Sequence, residues 1–502
     1  MRFKRQSQIL LVLISVVLTI GLVISPSKTR NQVWFPIEPA LAAEALPDPL
    51  LIPMALFQAP QNSIFGVEMV KINNFRGLDE IIAADAAWVR RNALLWSDVE
   101  SNEGTYNWSN VSSLDDELKS ASERGLEVIL VVRRTPIWAQ MDIDNNPRTP
   151  HFCGPIRPEK IQSFANFMYE AVKRYSKPPY NVKYFEVWNE PDAERGLSIL
   201  NPDPPYGCWG DKNDPYYGGE YYADVLTYVY PSMKAANPGI QVAIGGLLLA
   251  CKQGVSNVSC DHSEKYFEGI LRRHGANDGG NFFDLVNYHA YDYYFNKLGK
   301  YGNGGWGSNL VEGSAFLKKL PFIEGTLENF GFGNKEIILT ETALLCGITG
   351  FEPMCQTADY ENTKAYYAAQ SFAQSIDKGF QTNIWYSATA TWRGSALLSS
   401  NLDPLPAYYA YDFVEDELST ARYKRDLWEY QNIKGYEYDR SKKVIWMMWS
   451  TLTDSNGYII PVSITLPNEP SRVYTVSGSE LNNFSGTSLL VTSSPLYVEW
   501  DK

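Results

Sequence analysis

From about residue 60 the chain alternates short runs of β-branched and aromatic residues with longer segments whose apolar residues recur at helical spacing. That alternation predicts β-α units around a parallel sheet. Eight runs read as strands: IFGVEMV from Ile64, AWVRRNALL from Ala87, LEVILVVR from Leu126, VKYFEVWN from Val182, IQVAIGG from Ile240, DLVNYHAY from Asp284, KEIILTE from Lys335 and TNIWYSA from Thr382. Between them, RPEKIQSFANFMYEAVKRY places Pro158 in a first turn and gathers Ile161, Phe164, Met168, Ala171, Val172 and Tyr175 into one stripe. SSLDDELKSASERG starts on serine caps and stops at Gly125. The class is therefore α/β, and eight such strands predict a closed (β/α)8 TIM barrel over residues 60–421.

After Arg422 the helical period disappears. KGYEYDRSKKVIWMMWS, GYIIPVSITL, SRVYTVSG and LLVTSSPLYVEW alternate in polarity between Asn, Asp, Gly, Ser and Pro turns. They predict a small C-terminal antiparallel β-domain, sandwich-like, over 422–502. Residues 31–59 read as a linker from which about Asp48 to Phe57 adds a strand to that domain. At the start, MRFKRQSQ precedes an uncharged run from Ile9 to Ile24. Over residues 1–30 this layout fits a secretory signal peptide and equally a short membrane anchor. Either one exports the rest of the chain to the cell surface, the medium or the periplasm.

Composition narrows the function. A net charge of −13 repels nucleic acid and anionic bilayers, so no nucleic-acid partner is expected. Four histidines without H-E-x-x-H, and six cysteines without C-x-x-C, give no reason to expect a metal or another cofactor. The cysteines suit an exported protein. Short separations favour pairing Cys251 with Cys260 and Cys346 with Cys355, which leaves Cys153 for Cys208; the alternative is that some are free thiols. The 14 Trp and 32 Tyr offer flat faces that suit sugar rings, although most of them must serve core and loop packing.

In a (β/α)8 barrel the functional side chains sit at the C-terminal ends of the strands. The fourth predicted strand runs YFEVWN into Glu190, and Pro191 prevents the ladder from continuing; the seventh ends on Glu341. Glu186 and Glu336 lie upstream in the same strands and read as interior or rim acids. One strand-end Glu alone is more often a loop hydrogen-bonder than a catalyst. Two facing each other across a barrel mouth are what glycoside hydrolysis needs, one to protonate the leaving oxygen and one to attack or to activate water.

VWNEP followed about 150 residues later by ILTET resembles clan A of the glycoside hydrolases, and the resemblance extends through WVRRNALLWSDVE, VILVVRRTPIWA, NYHAYDYY and NIWYSA. It is most similar to families 39 and 5, including a trailing β-domain that ends in SPLYVEW. The resemblance implies that Glu190 is the acid/base and Glu341 the nucleophile. It places Asn189 on the 2-hydroxyl of the sugar and Arg90 beside the nucleophile, keeping it ionised. It has His289 and Tyr291 line the site, Trp385 form its floor and Trp138 take part in substrate binding. Other assignments stay open at this stage: Arg90 pairing with Glu186, packing roles for Tyr291 and Trp385, a satisfied polar role for His289, and Arg91, Arg133 or Arg134 in place of Arg90.

These readings add up to an exported retaining glycoside hydrolase acting without a cofactor on a β-linked oligo- or polysaccharide. A transglycosylase on the same fold, or an inactive carbohydrate-binding protein, is the alternative. The long aromatic stretches NPDPPYGCWGDKNDPYYGGEYY and YDYYFNKLGKYGNGGWG are expected to wall the cleft and bind a neutral sugar by stacking. Arg393 is the one residue that argues for an acidic sugar.

Overall fold

The computed structural model describes residues 63–255, 260, 262–276, 281–389, 392–481 and 484–502. The segment read as signal or anchor, and the linker up to residue 59, lie outside the described residues. Among those described, no helix is long and apolar enough to cross a membrane.

Eight parallel strands form the central sheet: β1 (Phe65–Glu68), β2 (Trp88–Leu95), β3 (Glu127–Arg133), β4 (Tyr184–Asn189), β5 (Gln241–Gly246), β6 (Leu285–Tyr294), β7 (Glu336–Leu345) and β8 (Asn383–Trp385). Each is followed by a helix, in order α1 (Leu78–Ala83), α2 (Ser112–Glu123), α3 (Ile161–Tyr175), α4 (Gly219–Ala236), α5 (Glu264–Ala276), α6 (Ala315–Asn329), α7 (Ala358–Asp377) and α8 (Pro406–Leu418). Each of these strands pairs with its sequence neighbours, and β8 pairs back to β1, so the eight close into a barrel, and a short antiparallel hairpin of residues 301–303 and 308–309 extends the sheet from the end of β6. Because helices cover the outside, both faces are dry and most strand residues are buried. Two elements depart from the sequence reading. β7 runs past Glu341 to Leu345. α2 starts without a side-chain cap from its serines.

Alternation along the strands stacks the barrel interior in layers. At the N-terminal end Trp88, Ile129, Ala243, Leu285, Ile338 and Ile384 form an apolar plug, with Tyr184 packed on it. Two residues further along the same pleats come Arg90 on β2, Glu186 on β4, Asn287 on β6 and Thr340 on β7, all buried. The plug is thus capped by an ionic layer, and the mouth opens above it.

The C-terminal strands are β9 (Arg422–Asp426), β10 (Ile433–Arg440), β11 (Lys443–Ser450), β12 (Val462–Thr465), β13 (Arg472–Tyr474), β14 (Ser488–Val491) and β15 (Leu496–Asp501). They make a five-stranded antiparallel sheet in the order β9-β10-β11-β15-β13 and a separate pair, β12-β14. Tyr438 donates to the Ala373 carbonyl at 2.8 Å and Gln374 donates to the Tyr436 hydroxyl at 3.2 Å, which seats the sheet on α7.

Candidate active site

β4 ends by breaking its own alternation. Tyr184 and Glu186 point inward, so strict period two would send Trp188 inward as well. Instead Trp188 takes φ +79° and packs outward, its ring 4.8 Å from Trp209 and 6.0 Å from Phe164. Asn189 then turns inward, and Glu190 follows at φ +43°. Each non-glycine residue in this region carries strain of about 1–3 kcal/mol, which the packing around Trp188 must outweigh. Asp192 fixes the outgoing chain by accepting from the backbone N–H of Leu248 (2.9 Å) and Leu249 (2.7 Å).

β7 brings Glu341 inward by a different device. Ile338 and Thr340 face the interior, so Glu341 should face out. Relative to β6, the register slips by one residue as His289 comes to pair with Glu341, and β8 records the same slip between Leu339 and Thr342. The bulge turns the Glu341 side chain into the barrel, the re-aiming that bulges commonly perform.

Arg90 ties these acids together. Its guanidinium donates twice to Glu186 (Nε 2.9 Å, Nη2 2.7 Å), to Glu68 Oε2 at 2.6 Å, to Glu341 Oε1 and to Asn189 Oδ1. Burial opposes the Arg90 charge, but Glu186, Glu68 and Glu341 outweigh it and hold the guanidinium firmly protonated. The other arginines are spent elsewhere: Arg91 on Glu117, Arg133 on Asn92 and Pro204, Arg134 on Asp98 and Asp203. Arg90 therefore both pairs with Glu186 and touches Glu341, so the two readings left open by the sequence coexist.

Sharing one guanidinium among three carboxylates has an electrostatic consequence. Glu341 lies well above the usual carboxylate range, raised first by burial and then by the charge of Glu68, against the pull of Arg90. This corrects the expectation that Arg90 holds Glu341 low. Glu190 is pushed up to about 7 by burial, against Arg90 and Lys319. Tyr291 donates to Glu341 Oε2, and its phenol stays protonated through burial and the neighbouring negative charges. His289 Nδ1 lies 2.8 Å from Glu190 Oε1 and 3.4 Å from Glu341 Oε2. Burial first, then Arg90, holds this imidazole neutral. Behind it Lys319 on α6 donates to the carbonyls of His289 (2.7 Å) and Leu248 (2.6 Å), a buried cation lowered to about 8 by desolvation.

Glu341, Glu190, Asn189 and Tyr291 line a cavity of about 360 Å³, within the ~300–1,000 Å³ range of small-ligand pockets. Its wall includes Glu68, Asn189, Glu190, Tyr206, Tyr291, Glu341, Tyr386 and Trp392. One ligand atom each from Glu190, His289 and Glu341 lies within 4.8 Å of the others, so these three are also the residues able to hold a cation, although Arg90 and Tyr291 already donate to Glu341.

Of the predicted contacts, Arg90, His289, Trp385 and Trp138 are not in this lining; Arg90 and His289 are fully buried and reach the site only through Glu341 and Glu190. Trp385 is fully buried behind the wall, its indole N–H on the Ser395 carbonyl at 2.9 Å, and the next residue, Tyr386, takes the place on the floor. Trp138 packs edge-on against Trp96 and donates to the Glu100 carbonyl. Arg393 donates to the Gly347 carbonyl and lies over the Tyr293 ring, outside the lining. Of the two aromatic loops, the one after β4 contributes Pro205 and Tyr206, whereas the one after β6 contributes only Tyr291 and buries Tyr301 and Trp306. Glu68, Tyr386 and Trp392 are lining residues that the sequence reading did not single out.

Against solved structures, the chain matches a family 39 glycoside hydrolase from the gut symbiont Bacteroides cellulosilyticus WH2 with a TM-score of 0.60 and 17% identity, covering 87% of this chain and 80% of that one. The fold is that of the clan A glycoside hydrolases. A GH30 endoxylanase from Clostridium papyrosolvens C71 matches with a TM-score of 0.54 and 14% identity over 89% of this chain and 98% of that one. An α-L-arabinofuranosidase from Thermotoga maritima, solved with arabinose, gives 0.52 and 13% over 90% and 98%. No family model and no curated protein sequence matches the chain.

The mouth of this barrel is stapled by Cys153–Cys208, Cys251–Cys260 and Cys346–Cys355, with Cα separations of 5.3, 5.8 and 5.6 Å. Below it, packing is close. A Cβ on Gly246 would stand 2.2 Å from His289 Nε2 and 3.0 Å from Glu186 Oε1. Gly246→Ala is therefore expected to displace His289 from Glu190 and to cost about 1–3 kcal/mol of stability. Chemical denaturation checks the second effect. An unchanged midpoint would show that the His289 ring is free to move.

Proposed function

We propose that the protein is an exported, retaining glycoside hydrolase that cleaves β-linked oligo- or polysaccharides through a glycosyl-enzyme intermediate. The observation that carries this reading is the approach of Glu190 and Glu341, oxygen to oxygen within 4.8 Å across the cavity. Retaining enzymes hold their carboxyls about 5–5.5 Å apart, whereas inverting enzymes need about 6.5–9.5 Å to admit a water between them. Glu190, pushed up to about 7 by burial, can carry a proton at neutral pH. Glu341 receives donors from Arg90 and Tyr291, which favour the charged form once Glu190 holds the proton.

In the first step the Glu341 carboxylate attacks the anomeric carbon while the bond to the glycosidic oxygen breaks, and Glu190 gives that oxygen its proton. Glu341 then carries the sugar as an ester. In the second step Glu190, now ionised, takes a proton from water as the water displaces Glu341. Asn189, held by Arg90, is placed to meet the 2-hydroxyl. Tyr386 and Trp392, edge-to-face at 5.5 Å, offer the sugar apolar surface, and Trp392 is 44% exposed at the rim. Three disulfides favour an oxidising compartment outside the cytoplasm.

Release of reducing ends from a panel of glucans, xylans and galactans tests the activity. NMR of the first-formed anomer tests retention. A β-linked substrate that yields the α-anomer first would overturn the mechanism.

The pH dependence follows from the two acids. Glu190 must be protonated, so kcat/KM is expected to hold below about pH 7 and to fall about tenfold per unit above it. Glu341 must be ionised and is also raised, so the acid limb should lie above the usual carboxylate range and the bell should be narrow. Undiminished kcat/KM at pH 9 on a polysaccharide would contradict the role given to Glu190.

A further inference from the structure

Glu68 is an acid for which the two-carboxylate mechanism has no task. It closes β1, its side chain is 10% exposed, and it lines the cavity together with Glu341. One oxygen, Oε2, accepts from the same Arg90 nitrogen that donates to Glu341. The other, Oε1, has no hydrogen-bond partner among the described residues. A largely desolvated carboxylate with one oxygen open to a cavity is completed by a ligand that brings a donor.

The rest of the wall points the same way. Glu68, Glu190 and Glu341 bring three carboxyl groups to it, and the one arginine in the lining, Arg91, is engaged by Glu117. The ligand that fits is uncharged and rich in hydroxyl donors. A uronate would add a negative charge beside Glu68 and the nucleophile Glu341, while the arginine that argued for one, Arg393, lies outside the lining.

We propose that Glu68 determines specificity: its Oε1 accepts hydrogen bonds from ring hydroxyls other than the 2-hydroxyl of the sugar seated over Glu341, and its charge bars a uronate from that position. The proposal rests on the glycoside hydrolase reading. If Glu68 did no more than brace Arg90, its loss would slow all substrates alike. If it holds a hydroxyl, the loss depends on whether that hydroxyl is present.

The test uses the aryl β-glycoside that the wild-type enzyme turns over best among glucoside, xyloside and galactoside, its 3-deoxy and 4-deoxy analogues, and the aryl glucuronide. For the wild type, at least one deoxy analogue should lose about 10- to 100-fold in kcat/KM, the effect of a hydrogen bond to a charged group. In Glu68→Gln the parent glycoside should fall by a similar factor, the deoxy penalty should shrink to within about 3-fold, and the ratio of glucuronide to parent should rise at least tenfold. Glu68→Asp keeps the charge but draws it back. It should lose the hydroxyl contact and still exclude the glucuronide, and it decides the matter if Glu68→Gln does not fold. Equal losses on parent and deoxy substrates, or no deoxy penalty in the wild type, would overturn the proposal and leave the hydrolase reading intact. A wild-type enzyme inactive on every glycan and glycoside would remove both.

Discussion

Glu341→Ala is expected to abolish turnover of every glycoside, natural or activated, with kcat lowered on the order of 10⁵- to 10⁶-fold, the scale of removing a nucleophile. The variant takes away the atom to which the sugar is bonded, so no leaving group, however good, restores the first step. It also frees one N–H of Arg90 Nη1 and the Tyr291 hydroxyl, both of which donate to Glu341. Arg90 keeps Glu186, Glu68 and Asn189, so the barrel should still fold. Stopped assays with dinitrophenyl glycosides, beside thermal unfolding of the same preparation, give the measurement. A folded variant that retains more than about 1% of kcat would mean that the nucleophile is another group, and Glu68 would be the first suspect.

Glu190→Ala should discriminate between substrates. On polysaccharides the loss of general acid catalysis should cost about 10²- to 10⁴-fold. On aryl glycosides with good leaving groups the first step needs no proton and should proceed, after which the glycosyl-enzyme waits for a base that is no longer there. Azide, which needs no base, should then accelerate turnover and appear in a glycosyl azide of retained configuration. Equal losses on activated and natural substrates, with azide inert, would remove Glu190 from the acid/base role. The WNEP turn would then need a purely structural account, for which the packing of Trp188 against Phe164 and Trp209 is the available basis.

The large architecture was legible in the sequence because eight apolar runs alternating with helical stripes leave few other folds. Glu190 stood out for a local reason: proline ends the strand immediately after it. The finer placements depended on which face each strand residue takes, and there the sequence was least informative. In a barrel both faces are buried, so apolar runs carry little alternation from which to count. Counting inward from Ile384 puts Tyr386, not Trp385, on the floor, but nothing in TNIWYSA marks Ile384 as the inward residue. At Glu341 strict alternation would have given the wrong face, because the bulge is invisible in ILTET. The run IFGVEMV reads as a strand through to Val70, which sets Glu68 inside it although the ladder stops on that acid. Arg90 could not be told from Arg91 without the register, and Arg91, though in the cavity wall, is spent on Glu117 of α2.

The apolar plug beneath Arg90 makes the barrel a cup with a single opening. On the proposed mechanism sugar and water enter through the mouth above it in turn, and the proton that leaves Glu190 with the departing oxygen is replaced from the incoming water. Bulk pH acts first on the empty cup, so kcat/KM should follow the titration of Glu190 and Glu341, and only a sugar that meets Glu190 protonated and Glu341 ionised goes forward.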